Sequence, residues 1–135
     1  MQLFVEQFVA VAILATGLSH ALQPARWAAL FGDLLHRPYA ALYIGVFTLP
    51  LGLLVVLTHN IWVLGLPVVV TVFGWAWTIK GVGYLLYPQA LEKWRDRATG
   101  PGARRTFVFV GSLMTGLGLV LVWHAFVQPG TFAGS

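Results

Sequence analysis

Four long apolar runs separated by short polar interruptions organise the 135 residues of the chain. The first occupies about 3–22 and is broken only by Glu6 and Gln7 near its start and by Ser19 and His20 near its end. The second covers 39–58, and the His59-Asn60 pair after it reads as a tight polar turn. The third covers 61–86 with Pro67 and Lys80 inside it, and the fourth covers 107–127. Each meets the roughly 20 residues that an α-helix needs to cross a bilayer core about 30 Å thick. Between the first two runs, Pro24 stands where a helix would begin, and Trp27, Leu30, Phe31, Leu34 and Leu35 follow at i, i+3, i+4, i+7 and i+8. This predicts a short interfacial helix over about 24–36, lying on the membrane surface. No Lys or Arg precedes the first run, so the basic n-region of a cleaved signal peptide is missing and the run reads as a retained span. The expected fold class is all-α: one transmembrane domain over 1–135, an integral membrane four-helix bundle.

Composition agrees. Hydrophobic residues make up 59% of the chain and charged ones 9%, against about 25% charge in soluble domains. Four spans leave room only for short connections, so any function must be built within or beside the bilayer. The absence of cysteine removes disulfides, thiolate metal sites and dithiol redox chemistry. A pI near 10.0 would suggest nucleic acid in a soluble protein, but the basic residues here have another use. Arg26, Arg37, Lys93, Arg95, Arg97, Arg104 and Arg105 all fall in the two longer connections, 23–38 and 87–106, and Lys80 lies nearest to that side. By the positive-inside rule these connections are cytoplasmic and both termini extracytoplasmic, as in a multi-pass protein of a bacterial inner membrane. The run 91–105, with Glu92 and Asp96 among its cations, is expected to read anionic headgroups. No nucleic-acid partner is implied.

The chain also resembles itself. GLSHALQP at 17–24 matches GVGYLLYP at 81–88, an offset of 64, and GVFTLPLGLLVV at 45–56 matches GSLMTGLGLVLV at 111–122, an offset of 66. We infer two copies of a two-helix hairpin in the same orientation, related by an axis along the membrane normal. Gly45 with Gly52, and Gly111 with Gly116 and Gly118, are expected to form the bundle seam, where small residues let backbones approach closely. Ser112 with Gly116, and Ala12, Ala15, Thr16 and Ser19 on the first span, offer further small-residue stripes.

The pattern Gly-x-x-polar-x-Leu-x-Pro at 17–24, followed by Trp27 and Phe31 and then by Pro38 ahead of a second span ending Gly-Leu-Leu-Val-Val, resembles DoxX-like membrane proteins, which are small four-helix bacterial proteins. The likeness covers about the first half of the chain. It implies a four-helix fold and, for some members, partnership with membrane-associated oxidoreductases that pass electrons to quinone. His20 stands where a basic residue is expected in that family, and Thr48-Leu49-Pro50 where a span-two Glu is typical, so no catalytic residue carries over.

Ionisable groups inside a span cost about 2.5–3.5 kcal/mol at its centre and are functional candidates by default. On the outer side, Glu6, His59, Asn60 and His124 sit at similar depth. One carboxylate and two imidazoles are competent to hold a divalent metal, to bind a quinone headgroup or to relay protons, and His59 with His124 to ligate haem. The plainer reading leaves these groups among lipid headgroups, with Trp62 and Trp123 as anchors. On the inner side, Lys80 follows Trp77 and precedes Tyr84, with Ser19 and His20 one repeat away, which suggests an anion or headgroup contact and a cation-π pair with Trp77 or Tyr84. The plainer reading has Lys80 snorkel to the interface.

No catalytic signature and no obligatory cofactor emerge. The leading expectation is a non-enzymatic accessory or organising subunit of a bacterial membrane complex, with a redox link implied by the resemblance. The alternative is a small-molecule or ion transporter or channel, working as a homodimer or larger homo-oligomer around Lys80, Thr16, Ser19 and His20. A membrane enzyme using Glu6, His59 and His124 ranks third.

Overall fold

The structure, a computed structural model, describes residues 1–128 apart from the side chains of Glu92, Trp94, Asp96, Arg97 and Ala98. The expected outward placement of the tail beyond residue 128 and the expected headgroup contacts of Glu92, Asp96 and Arg97 lie outside the described residues. Six helices follow in order: α1 Gln2–Leu22, α2 Pro24–Leu35, α3 Ala40–Thr58, α4 Leu66–Leu86, α5 Ala90–Thr99 and α6 Ala103–Val127. No strand occurs among the described residues. Helices α1, α3, α4 and α6 are long and apolar enough to cross a membrane, and the fold is an all-α four-helix bundle with α2 as the expected short helix after the first span.

Two boundaries differ from expectation for local reasons. α4 begins at Leu66 rather than 61, and Pro67 opens the helix instead of interrupting it. A first-turn proline loses no helical hydrogen bond, because its missing N–H would have had no partner there. Gly65 precedes it at φ 141°, a backbone that favours glycine. α6 starts one turn early, at Ala103, and takes Arg104 and Arg105 into its first turn. Pro50, by contrast, does lie inside α3.

The helices of each sequence repeat are not each other's main neighbours. α1 runs along α6 and α3 along α4, with sparse contact between these two pairs. The connection at 59–65 is short and forces α3 and α4 side by side, whereas α2 separates α1 from α3. The repeat nevertheless governs the packing, because both pairs are built on one interface. A Cβ on Gly17 would meet the backbone of Met114 and Thr115, and one on Gly81 the backbone of Leu49, the counterpart of Thr115. Gly118 abuts Leu14, while Gly52 abuts Thr78, the counterpart of Leu14. Gly111 meets Ala21 and the carbonyl of Gly17, while Gly45 meets Leu85 and the carbonyl of Gly81. The exchange of α1 with α4 and α3 with α6 therefore maps one pair onto the other.

Gly116 leaves the expected seam: a Cβ there would meet nothing within 4 Å. It is the counterpart of Pro50, on the outer face of its helix. Ser112 and Ala15 are exposed as well, and the buried face of α1 is instead Val5, Glu6, Val9, Ala10, Ile13, Gly17 and His20. Two apolar clusters result. One, at the end carrying Met1 and His59, joins Val9, Ile13, Val55, Val70 and Leu121. The other, at the basic end, joins Leu35, Ala40, Ala41 and Leu91. Large apolar side chains such as Phe47, Leu57, Ile79 and Phe109 point outward, as lipid-facing side chains do.

The seam yields a direct test. Gly118→Ala pushes a carbon into the backbone of Leu14 and is expected to cost about 1–3 kcal/mol, the range for overpacking. Gly116→Ala meets open space and should hold or slightly raise stability. Unfolding of both variants in detergent micelles checks this, and equal effects would refute the seam.

Candidate functional site

Polar side chains gather at the two ends of the bundle, and at each end they mark a departure from the repeat. At the Met1 end, His59 caps α3, its N–H bonded to the carbonyl of Val55 at 2.7 Å. Its ring turns inward and is fully buried, as is nearly all of Glu6. His59 Nε2 lies 2.7 Å from Glu6 Oε1, and Nδ1 lies 3.2 Å from Thr71 Oγ1. Thr71 Oγ1 also accepts the Ile61 N–H at 3.0 Å and reaches the carbonyls of Ile61 at 3.0 Å and Pro67 at 3.2 Å. A neutral imidazole can donate to Glu6 and accept the Thr71 hydroxyl, while a doubly protonated one donates at both nitrogens. Either way the ring is satisfied.

The expectation that Glu6 and His59 sit among headgroups is therefore corrected: they are withdrawn from the surface and bonded to each other. The expected set of Glu6 with two histidines does not assemble either, since no group of three metal-capable side chains forms among the described residues. His124, half-buried on α6, lines a separate cavity of about 400 Å³ with Ile61, Pro67 and Val120. Asn60 accepts the indole N–H groups of Trp62 at 2.8 Å and Trp75 at 3.2 Å, which pins the connection to α4. Thr71 was not legible as a partner except through the repeat. Gln7, its counterpart, donates to the carbonyl of Ala125 at 3.3 Å, as Thr71 reaches the carbonyl of His59 at 3.4 Å. The counterparts of Glu6 and His59 themselves are Val70 and Ala125, both fully buried and apolar. The polar couple thus occurs once, and it ties α1 to the end of α3 across the two helix pairs.

At the basic end the first half is plugged. The His20 imidazole stacks on the Trp27 indole, with centroids 3.9 Å apart and planes at 15°, and Phe107 lies 5.5 Å from His20 and 5.4 Å from Phe31. Trp27 Nε1 donates to Ser19 Oγ at 2.9 Å, and His20 Nδ1 lies 2.7 Å from the Thr16 carbonyl. These contacts fasten α2 onto α1 and α6. In the second half the counterparts of Thr16, Ser19, His20, Trp27, Phe31 and Phe107 are Lys80, Gly83, Tyr84, Leu91, Arg95 and Ala41. The stacked aromatic filling is gone, and a groove of about 600 Å³ opens there, lined by Phe31, Leu34, Ile44, Lys80, Gly83 and Tyr84 among others. Its size falls in the usual range for small-molecule sites, about 300–1,000 Å³. Lys80 Nζ stands 5.8 Å from the Tyr84 ring, the cation-π partner at i+4.

The inner candidates are thus divided by the fold. Ser19 and His20 belong to the plug, Lys80 and Tyr84 to the groove, and Trp77 meets Phe73 edge-on at 6.2 Å. Fold and sites together define a multi-pass membrane protein with an asymmetric groove at its basic end. Comparison of the chain with protein-family models, with curated proteins and with solved structures finds no match.

The Glu6–His59 couple gives a second prediction. Glu6→Val alone or His59→Ala alone strands a buried polar partner and should cost about 3–5 kcal/mol. The double variant reproduces the Val70 and Ala125 arrangement of the other half and should regain most of that loss. A thermal-unfolding double-mutant cycle measures the coupling, and simple additivity of the two losses would show that the pair does not act as a unit.

Proposed function

We propose that this chain is a non-enzymatic accessory protein of a bacterial inner membrane that holds a membrane-dissolved amphiphile in the groove at its basic end. The observation that carries this reading is the loss, in one half only, of the aromatic plug that fills the same place in the other half. A packing requirement alone would have kept both halves filled. The lining is apolar on the α2 and α3 sides, where Phe31, Leu34 and Ile44 suit a hydrocarbon body. On the α4 side the Lys80 ammonium and the Tyr84 ring suit a polar or anionic head. With the basic connections cytoplasmic, the groove lies toward the inner leaflet, where such a ligand enters sideways from the lipid. An accessory role agrees with what the DoxX-like pattern of the first half implies.

Transport is less well supported. A solute path would need polar groups through the middle of the bundle. The mid-helix hydroxyls of Thr78, Ser112 and Thr115 are instead turned back onto carbonyls of their own helices, at 2.7–2.8 Å.

Gly83 supplies the test, because a Cβ there meets nothing within 4 Å while the residue lines the groove. Gly83→Trp should fill the groove as aromatic rings fill the other half, without moving the thermal midpoint. In proteoliposomes, crosslinking by a diazirine-bearing stearic acid is expected to label the groove residues of the unaltered protein and to fall about tenfold in the variant, the effect of losing ~1.4 kcal/mol of binding. An unchanged yield would overturn the reading.

A further inference from the structure

Beside the groove lies a second, more polar cavity of about 350 Å³, which shares Leu35 and Leu91 with it as a common wall. Two guanidinium-bearing residues line it from different elements: Arg37 from the turn after α2 and Arg95 from α5. The first turn of α3 lines it too, through Ala40, Ala41 and Leu42. The N-cap of that helix, Tyr39, makes no side-chain capping bond, so the partial positive charge of a 19-residue helix is left facing this space without a side-chain acceptor. No carboxylate is among the described residues that line it.

Arg95 carries an independent signal. Its Nε is buried and has no hydrogen-bond partner among the described residues. An unmade bond at a buried donor leaves its desolvation uncompensated, so such atoms are rare and call for an explanation. The repeat sharpens this point, since the counterpart of Arg95 is Phe31, part of the aromatic plug. Where one half places a ring, the other places a cation whose buried Nε meets no acceptor among the described residues. A fork of guanidinium donors, a second guanidinium and an uncapped helix start together suit a tetrahedral oxyanion, and Arg recognises phosphate by paired hydrogen bonds.

Building on the groove as an amphiphile site, we propose that the polar cavity receives the phosphate of an anionic glycerophospholipid whose acyl chain lies in the groove across the Leu35–Leu91 wall. The two cavities then form one site, with the head at Arg37, Arg95 and the start of α3, and the tail along Phe31, Leu34 and Ile44. Lys80, on the polar α4 side of the groove, adds positive charge beside the head that favours a net-negative lipid over a zwitterionic one.

Native mass spectrometry of the delipidated full chain tests this, with dioleoyl phosphatidylglycerol, dioleoyl phosphatidylcholine and inorganic phosphate offered separately. The expected result is a phosphatidylglycerol adduct that survives collisional activation, falls about tenfold in Arg95→Gln, and is not displaced by inorganic phosphate. Circular dichroism should show Arg95→Gln to be folded, and Arg95→Lys, which keeps the charge but lacks the Nε donor, should also retain less lipid than the unaltered protein. Equal retention of both lipids, unaffected by Arg95→Gln yet lost in Gly83→Trp, would overturn the phosphate site and leave the groove standing. Retention of neither lipid by the unaltered protein would overturn both. Displacement of the lipid by inorganic phosphate would assign the cavity to the free anion and overturn the lipid assignment.

Discussion

Helices already surrounded by hydrocarbon gain nothing from hiding apolar surface against each other, so their association rests on close contact between backbones. In this protein that contact is made at six glycines in matching positions, three in each helix pair, with Gly74 against the Val55 side chain as a seventh in the α3–α4 pair. Gly17, Gly111 and Gly118 bring α1 and α6 together, and Gly81, Gly45 and Gly52 bring α3 and α4 together against counterpart neighbours. Because the same interface is built twice, the two halves are constrained to one shape along the middle of the membrane. The differences in polarity and filling that shape the candidate sites lie at the ends.

Both ends carry such differences, and they are of opposite kinds. At the Met1 end the sequence repeat of α1 and α3 carries polar groups where that of α4 and α6 is apolar, with Glu6 and His59 in place of Val70 and Ala125. Two ionisable groups buried together rarely stabilise more than the apolar residues they replace, so their value lies in specificity. The couple fixes how α1 sits against the end of α3, between two helix pairs that otherwise touch sparsely. At the basic end one half removes bulk that the other retains. The plug of His20, Trp27, Phe31 and Phe107 has no equivalent around Lys80, Gly83 and Tyr84, and space replaces it.

Much of this was legible in sequence because membrane helices announce themselves by length and apolarity. The four long apolar helices and the short helix after the first could be read from the apolar runs, and the register of the repeat from 17–24 against 81–88 and 45–56 against 111–122. Helix pairing could not, because the glycine spacing shows which faces are narrow but not which helix meets which. Helix α5 was obscured by its charges: 90–99 reads as a headgroup-binding run, although Pro88, the counterpart of the Pro24 that opens α2, stands two residues ahead of it. Thr71 was hidden because a threonine in an apolar span normally bonds its own helix, as it also does here to the carbonyl of Pro67. Arg95 was read as a topology signal because sequence gives charge but not burial, and it is the burial of its Nε that sets it apart.

The two short helices also differ in how they are held. α2 is fastened by a stacked ring pair and an indole hydrogen bond, and it leans on α1 and α6. α5 leans chiefly on α2 and only slightly on α4 and α6. Yet α5 supplies Ala90 and Leu91 to the groove and Leu91 and Arg95 to the polar cavity, so the wall shared by both spaces is made jointly, by Leu35 of α2 and Leu91 of α5. In the first half the contacts that seat the short helix are made by protein side chains. In the second, Leu91 packs with Leu35, Ala40 and Ala41, while Gly83, Tyr84 and Arg95 line open space, so a ligand there would add contacts to those that already seat α5.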